Sequence, residues 1–327
     1  MKMVILDGYT LNPGDNPWTP VEALGEVIGR YEVAAADSVA ELAAGAQIAI
    51  TNKAGFTAET LARLPDLRYI TVTATGYNIV DIAAAGRRDI PVSNVPEYGT
   101  NTVAQYTFAL ILELCHRVGL HADSVAAGDW ARQPHFCYWK TPQVELAGKT
   151  LGVVGFGRIG RRVADLAHAF GMGVLASDPD HTRPPDWQPF EWAGVDEVFA
   201  AADVVTLHCP LTPENGGLVN RDRLRLMKPT AFLVNAARGG LVNEADLAAA
   251  LDAGILAGAA VDVVSTEPIR PDNPLPRARN CLVTPHMAWA SLEARRRIMR
   301  TTAENIAGFL AGRPVNVVNA AFLPPRP

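Results

Sequence analysis

Short apolar runs alternate with segments of helical period from the first residues onward. Met3–Leu6, Gln47–Thr51, Tyr69–Thr73 and Ile90–Ser93 are compact, largely apolar stretches, the pattern of strands buried on both faces. Between them the spacing predicts helices over Pro20–Arg30, Ser38–Ala44, Ala58–Leu64 and Asp81–Arg88, with Thr19 as N-cap and Pro20 at the first helical position. The alternation resumes after Gly148. Strands are expected at 150–154, 173–177, 203–208, 230–234, 257–262 and 281–284, separated by helices that include 158–170, 221–227 and 244–253. The helix from Glu244 has Asn243 as N-cap, Leu247, Leu251 and Ile255 on one stripe, and Gly254 as its stop. Strands alternating with helices build parallel sheets with helices on their faces. The chain therefore reads as an α/β protein of two doubly wound units.

Between the two series lies a long apolar helix, Thr102 to Val118, opened by Thr102-Val103-Ala104-Gln105, which fits a capping box. An aromatic, loop-like stretch follows at 128–142, with Trp130, His135, Phe136, Tyr138 and Trp139. The last predicted helix, Ser291 to Leu310, is stopped by Gly312 and Pro314. Placed after the second sheet, it is able to return and cover the first. The expected organisation is a discontinuous domain of residues 1–99 and 288–327, interrupted by a domain of 100–287.

Composition narrows the class. With 49% hydrophobic and 19% charged residues over 327 positions, the chain suits two globular domains with their own cores. A net charge of −5 argues against a nucleic-acid or anionic-membrane surface, and the cluster Arg295-Arg296-Arg297 reads as one solvated helical turn. The start lacks the basic region, apolar stretch and cleavage site of a signal peptide, and no apolar run approaches the ~18 residues that span a bilayer. Cys115, Cys137, Cys209 and Cys281 form no C-x-x-C pair and suggest reduced thiols and a cytoplasmic location. No metal site is expected: H-E-x-x-H is absent, and His116 and His121 lie five apart.

The chemistry begins at Gly155-Phe156-Gly157-Arg158-Ile159-Gly160. A predicted strand precedes it and a predicted helix follows, the context a dinucleotide fingerprint requires. Gly155 permits the tight turn, Gly157 lets the backbone approach a pyrophosphate, and Gly160 lets the helix pack on the strand. The pyrophosphate would meet the helix's free N–H groups. Asp178, ending the next strand, would bond the adenosine ribose and repel a 2′-phosphate, so NAD (as NADH in reduction) is favoured. Arg183 keeps NADP as the disfavoured alternative.

Hydride chemistry at a carbonyl also needs a cation for the substrate's carboxylate, an acid/base, and a partner that orients the acid/base. Arg238, Glu267 and His286 each stand just beyond a predicted strand end, where open α/β sheets bind ligands. Arginine pairs bidentately with a carboxylate, histidine exchanges protons near neutral pH, and glutamate fixes an imidazole.

These residues carry a resemblance. Asn235-Ala236-Ala237-Arg238-Gly239-Gly240-Leu241-Val242, the Asp262 to Glu267-Pro268 segment and Thr284-Pro285-His286 resemble the three signature segments of the D-isomer-specific 2-hydroxyacid dehydrogenases. The fingerprint and Leu207-His208-Cys209-Pro210-Leu211-Thr212 extend the resemblance over nearly the whole chain. It implies a flavodoxin-like catalytic domain with an inserted Rossmann NAD-binding domain, a cleft between them, and a homodimer with a dimerisation segment near 100–145. It implies Arg238, Glu267 and His286 as the catalytic set, with His286 as proton donor in reduction. The implied cofactor contacts are Gly155, Gly157, Arg158, Ile159, Gly160, Asp178, Cys209, Pro210, Thr212, Ala236, Ala237, Asp262 and His286.

On the first domain, Thr73-Ala74-Thr75-Gly76-Tyr77-Asn78 ends a strand, and the amides of Thr75 and Gly76 would bind the substrate carboxylate opposite Arg238. Ala74 to Asp81 and Trp289 look most like the glycerate dehydrogenase/hydroxypyruvate reductase branch, in which an aromatic from the partner subunit closes the site; Trp139 is the candidate here. Gln105 replaces the family's usual glutamate, and Glu97 stands where glycine is more common, leaving the substrate's side chain open. The expected activity is NAD(H)-dependent reduction of a small 2-oxo acid, such as hydroxypyruvate or glyoxylate, to the D-2-hydroxy acid, and the reverse. The alternatives are a reductase for an unusual 2-oxo acid, such as a phosphonate analogue, and an NADH-sensing binding protein of the same fold.

Overall fold

Two parallel sheets carry the computed structural model, which describes residues 1–324. One belongs to a unit made of Met1–Tyr98 and the segment from Ala290 onward, the other to Gly99–Trp289. In the first unit the strands are β1 (Lys2–Ile5), β2 (Glu26–Arg30), β3 (Ile48–Thr51), β4 (Tyr69–Val72) and β5 (Val92–Ser93), in the order β2-β1-β3-β4-β5. That is the flavodoxin-like doubly wound order. The short helices α1 (Thr19–Glu22), α2 (Val39–Leu42), α3 (Ala58–Ala62) and α4 (Ile82–Arg87) connect them. Every residue of β3 and β4 is buried, as strands covered on both faces must be.

The sequence pattern misleads at residues 20–30. Only Thr19–Glu22 is helical, and Glu26–Arg30 is the parallel edge strand β2 paired with β1. Gly25 interrupts the helix, and the β-branched Val27 and Ile28 favour the pleated surface that β1 offers. Thr19 is accordingly the first helical residue rather than the cap; Trp18 takes the cap position with its side chain buried.

The second unit opens with α5 (Thr100–His116) and α6 (Val118–Ala126). What reads as one helix is broken at Arg117, which adopts φ +48°. The expected capping box does not form: the helix starts two residues before Thr102, with Gly99 in the cap position and no side-chain cap bond. The remaining elements are β6 (Thr150–Val154), α7 (Arg158–Ala169), β7 (Gly173–Ser177), β8 (Phe190–Trp192), α8 (Val195–Ala201), β9 (Val204–Leu207), α9 (Arg221–Leu226), β10 (Phe232–Asn235), α10 (Glu244–Asp252), β11 (Gly258–Val261) and β12 (Cys281–Val283). The sheet order is β12-β11-β10-β9-β6-β7-β8, with the strand order reversing between β6 and β9, the switch point where a Rossmann sheet binds its ligand. Asn243 caps α10 by accepting the Asp246 amide at 3.1 Å, and Gly254 ends the helical run at φ +69°.

The last helix, α11 (Leu292–Leu310), returns the chain to the first unit. Phe309 stacks on Tyr69 of β4 with ring centroids 4.4 Å apart, and Asn305 donates to the Asn94 carbonyl at 2.9 Å. Arg295 does not belong to a solvated turn. It is buried and forks onto Asp15 at 2.5 and 2.7 Å, a bidentate pair that fastens the loop after β1 to the helix. Among the described residues no helix is long and apolar enough to cross a membrane.

Candidate active site

The turn between β6 and α7 shows why glycine is needed there. Gly155 has φ +94°, and a Cβ on it would fall on the Cys209 backbone; one on Gly160 would fall on the Gly155 carbonyl. Gly157, by contrast, faces open space and caps α7 without a side-chain bond. Glycine therefore closes the turn and puts no side chain before the start of a twelve-residue helix, whose first backbone amides suit an anion. Asp178, at the end of β7, accepts the Phe156 amide at 2.6 Å through Oδ2 and the Asp180 amide at 2.9 Å through Oδ1. It clasps the turn, and each oxygen keeps a further acceptor site.

Across the turn, β9 ends at Leu207 and the chain passes His208, Cys209 and Pro210. The His208 Nε2 atom is inaccessible and without a partner, although the residue as a whole is half-buried. Burial pushes its pKa down to about 4, so the ring is neutral. Burial, with Asp178 adding to it, pushes the Cys209 thiol up. Thr212 donates its amide to Asn215 Oδ1 at 2.7 Å, and Asn215 Nδ2 returns to the Pro210 carbonyl at 2.8 Å; this loop organises itself. An orphaned polar atom, an open glycine and a helix N-terminus around one turn suit a bound dinucleotide.

Arg238, Glu267 and His286 follow β10, β11 and β12, three neighbouring strands. Glu267 Oε2 and His286 Nδ1 are 2.7 Å apart, each side chain about one-third exposed. The carboxylate has only acceptors to offer, so Nδ1 carries the shared proton and Nε2 is left as the outward nitrogen. Arg238 is exposed, and its Nη1 donates to the Ala237 carbonyl at 2.7 Å. Its loop is shaped by Asn235, which accepts from the Ala237 amide at 3.0 Å and donates to the Arg238 carbonyl at 2.9 Å. Ala236 lies in the same loop, and Gly239 packs against the Val264 backbone.

The loop bearing His286 hangs on Asp262. That buried carboxylate accepts from the Thr284 hydroxyl at 2.7 Å, the Met287 amide at 3.0 Å and the Ala288 amide at 2.8 Å, and its own carbonyl accepts the His286 amide at 2.7 Å. His286 itself stands at φ +53°, a left-handed conformation that costs a non-glycine residue free energy and persists only where its surroundings impose it. Asp262 imposes it. Glu244 braces the other side, holding Ser265 N, Ser265 Oγ and Asn273 Nδ2 at 2.7–2.9 Å. Neither brace is evident from motif spacing. An acid at a strand end, Asp262, and one at a helix start, Glu244, are the signal that points to them.

In the first unit, Thr75 and Gly76 follow β4. Thr75 Oγ1 donates to the Val95 carbonyl at 2.9 Å, and Asn94 Nδ2 donates to the Thr75 carbonyl at 2.7 Å. These bonds hold the segment by its carbonyl and hydroxyl groups and leave its amides. Glu97 and Gln105 are exposed, and Trp139 is 67% exposed.

The model of the D-isomer specific 2-hydroxyacid dehydrogenase NAD binding domain matches residues 108–288. The chain belongs to that family. It is 45% identical over 321 residues to a hydroxypyruvate reductase of Blautia hydrogenotrophica, covering 98% of this chain and 100% of that one. It is 42% identical over 286 residues to a glycerate dehydrogenase of Methylorubrum extorquens, covering 87% and 89%. Among solved structures it resembles an acyclic imino acid reductase in complex with NADPH and D-Arg, with TM-score 0.81, 27% identity and coverage of 97% and 100%. This D-2-hydroxyacid dehydrogenase is therefore an oxidoreductase, and Gly99–Trp289 holds its NAD-binding domain.

Proposed function

We propose that the enzyme reduces hydroxypyruvate or glyoxylate with NADH to the D-2-hydroxy acid, and runs the reverse oxidation. The reading is carried by the 2.7 Å His286–Glu267 pair standing beside the strand that positions Arg238, and supported by relatives named hydroxypyruvate reductase and glycerate dehydrogenase. Gly157, Arg158 and Ile159 would hold the cofactor's pyrophosphate, with Asp178 at its ribose and Cys209, Pro210, Thr212, Ala236, Ala237 and Asp262 along it. The nicotinamide, when bound, supplies or accepts the hydride. Arg238 pairs with the substrate's carboxylate and polarises its carbonyl. His286 Nε2 gives a proton to the carbonyl oxygen as the alcohol forms, and withdraws it in oxidation. Glu267 keeps that nitrogen turned outward, and the Thr75 and Gly76 amides take the carboxylate.

NADH is preferred over NADPH because Asp178 would lie against a 2′-phosphate, while Arg183, the cation suited to that phosphate, stands 3.7 Å from Asp180. We also place the enzyme in the cytoplasm, in keeping with four free cysteines, and read it as a homodimer from the apolar side chains exposed between Val118 and Trp139. The test is NADH oxidation with hydroxypyruvate, glyoxylate and other 2-oxo acids. Turnover that is lost in His286→Ala supports the reading. Absence of turnover on every 2-oxo acid, or an unaffected His286→Ala enzyme, overturns it.

A further inference from the structure

At the carboxyl end of the first sheet, a lysine is presented on an unusually well-held turn. Asp7, just past β1, accepts four donors on one oxygen: Thr51 Oγ1 at 3.1 Å and the amides of Asn52, Lys53 and Ala54 at 3.0, 2.9 and 2.7 Å. Asn52 then reaches across with Nδ2 to the carbonyl and hydroxyl of Thr73, each at 3.3 Å. Three consecutive amides converging on one carboxylate oxygen fix the backbone of residues 52–54. Yet Lys53, in the middle, is exposed, and its ammonium has no carboxylate partner among the described residues.

The sheet register says what this lysine stands beside. Thr51 is level with Val72 across the β3–β4 pair and Asn52 bonds Thr73, so the turn that bears Lys53 leaves the sheet beside the strand end that leads into Thr75 and Gly76. A lysine needed only for solvation requires neither a fixed backbone nor a place at the carboxyl ends of the strands, where open α/β sheets bind ligands.

We propose that Lys53 reads an oxygen on the third carbon of the substrate, so that the enzyme selects 2-oxo acids bearing a 3-hydroxyl over those with hydrogen there or no third carbon. The proposal rests on the reading that Thr75 and Gly76 take the substrate carboxylate. With that carboxylate held, the ammonium donates to the oxygen at the other end of the molecule. Asp7 acts through the backbone of residues 52–54 as a positioning residue. Hydroxypyruvate, pyruvate and glyoxylate form the natural series, since the first two differ only by the 3-hydroxyl.

The experiment compares kcat/KM for these three acids, with NADH, in the full-length enzyme and in Lys53→Met and Lys53→Arg. A donor that meets a substrate hydroxyl discriminates strongly against its loss, so kcat/KM for hydroxypyruvate should fall about tenfold or more in Lys53→Met while pyruvate and glyoxylate stay within about twofold. Lys53→Arg, which keeps a cationic donor, should retain most of the preference. An equal change on all three acids, or none on hydroxypyruvate, overturns the proposal and leaves the proposed function standing. Failure of the unaltered enzyme to reduce any of the three overturns both.

Discussion

The most consequential side-chain pair is His286 and Glu267, because a proton donor must be aimed before it is useful. Glu267→Gln keeps the shape but allows the amide to present its NH2 to Nδ1, which would turn the ring to the other tautomer. With hydroxypyruvate and NADH, kcat should fall about 100-fold, within the range for a misdirected general acid, while KM for NADH stays near its original value; an unchanged kcat would remove Glu267 from the mechanism. Asp262 acts one step further back. Asp262→Asn would set its NH2 either against the Ala288 amide or against the Met287 amide and the Thr284 hydroxyl, leaving a buried donor unpaired at about 1–3 kcal/mol. Thermal denaturation should show that loss, together with reduced turnover, as His286 leaves its left-handed conformation. The placement of Arg238, Glu267 and His286 beyond strand ends was legible in the sequence because each closely follows a compact apolar run. Asp262 was legible only as a cofactor contact. Its three accepted bonds depend on residues 22 to 26 positions away, beyond any local pattern.

Elements with a strong internal period were readable to the residue, and those shaped by neighbours were not. Strands β6 and β7 match the apolar runs on either side of the glycine turn because each strand is continuous and the turn ends it sharply. Strand β2 escaped because its alternation spans only five residues and its hydrogen bonds come from β1. The break between α5 and α6 escaped because nothing in Arg117 itself forbids helix. The end of β9 supports a pH prediction. His208 is neutral in the folded protein with its pKa pushed down to about 4, whereas an unfolded histidine titrates near 6.5. Between those values the unfolded chain binds a proton that the folded one refuses, so stability rises with pH across that window and is lost as pH falls through it. The contribution is at most about 3 kcal/mol, at 1.36 kcal/mol per unit. Urea unfolding of the unaltered protein and His208→Asn from pH 4 to 7 should diverge in slope, the variant lacking this component; parallel curves would refute it.

At the scale of the whole molecule, the open question is what covers the segment that follows α5. Val118, Leu120 and Val125 on α6, and Trp130, Phe136 and Trp139 on the loop after it, are all more than 40% exposed, with Phe136 at 89%. Single exposed apolar residues are ordinary, but so many within one short segment suit an interaction surface. The loop is nevertheless well held from within. Ser124 bonds Asp129 at 2.5 Å and Tyr138 at 2.9 Å, His121 accepts the Lys140 amide at 3.0 Å, and Asp129 pairs with Lys140 at 2.7 Å. Lys140 and Ser124 hold the Asp129 carboxyl down at about 2, so Asp129 stays ionised throughout the physiological range. A preorganised loop with outward aromatics loses little conformational freedom on association, which suits the proposed dimer. Two charges placed in the patch, Leu120→Glu with Val125→Glu, should therefore shift the protein from dimer to monomer in sedimentation velocity at micromolar concentration. The His286–Glu267 pair lies outside the altered segment, so the monomer should bind NADH as before. If Trp139 of one copy closes the site of another, kcat with hydroxypyruvate should fall in that monomer, and Trp139→Ala should reproduce the fall without dissociating the dimer. A protein that sediments as a monomer before any substitution would overturn the dimer and the role of Trp139 together.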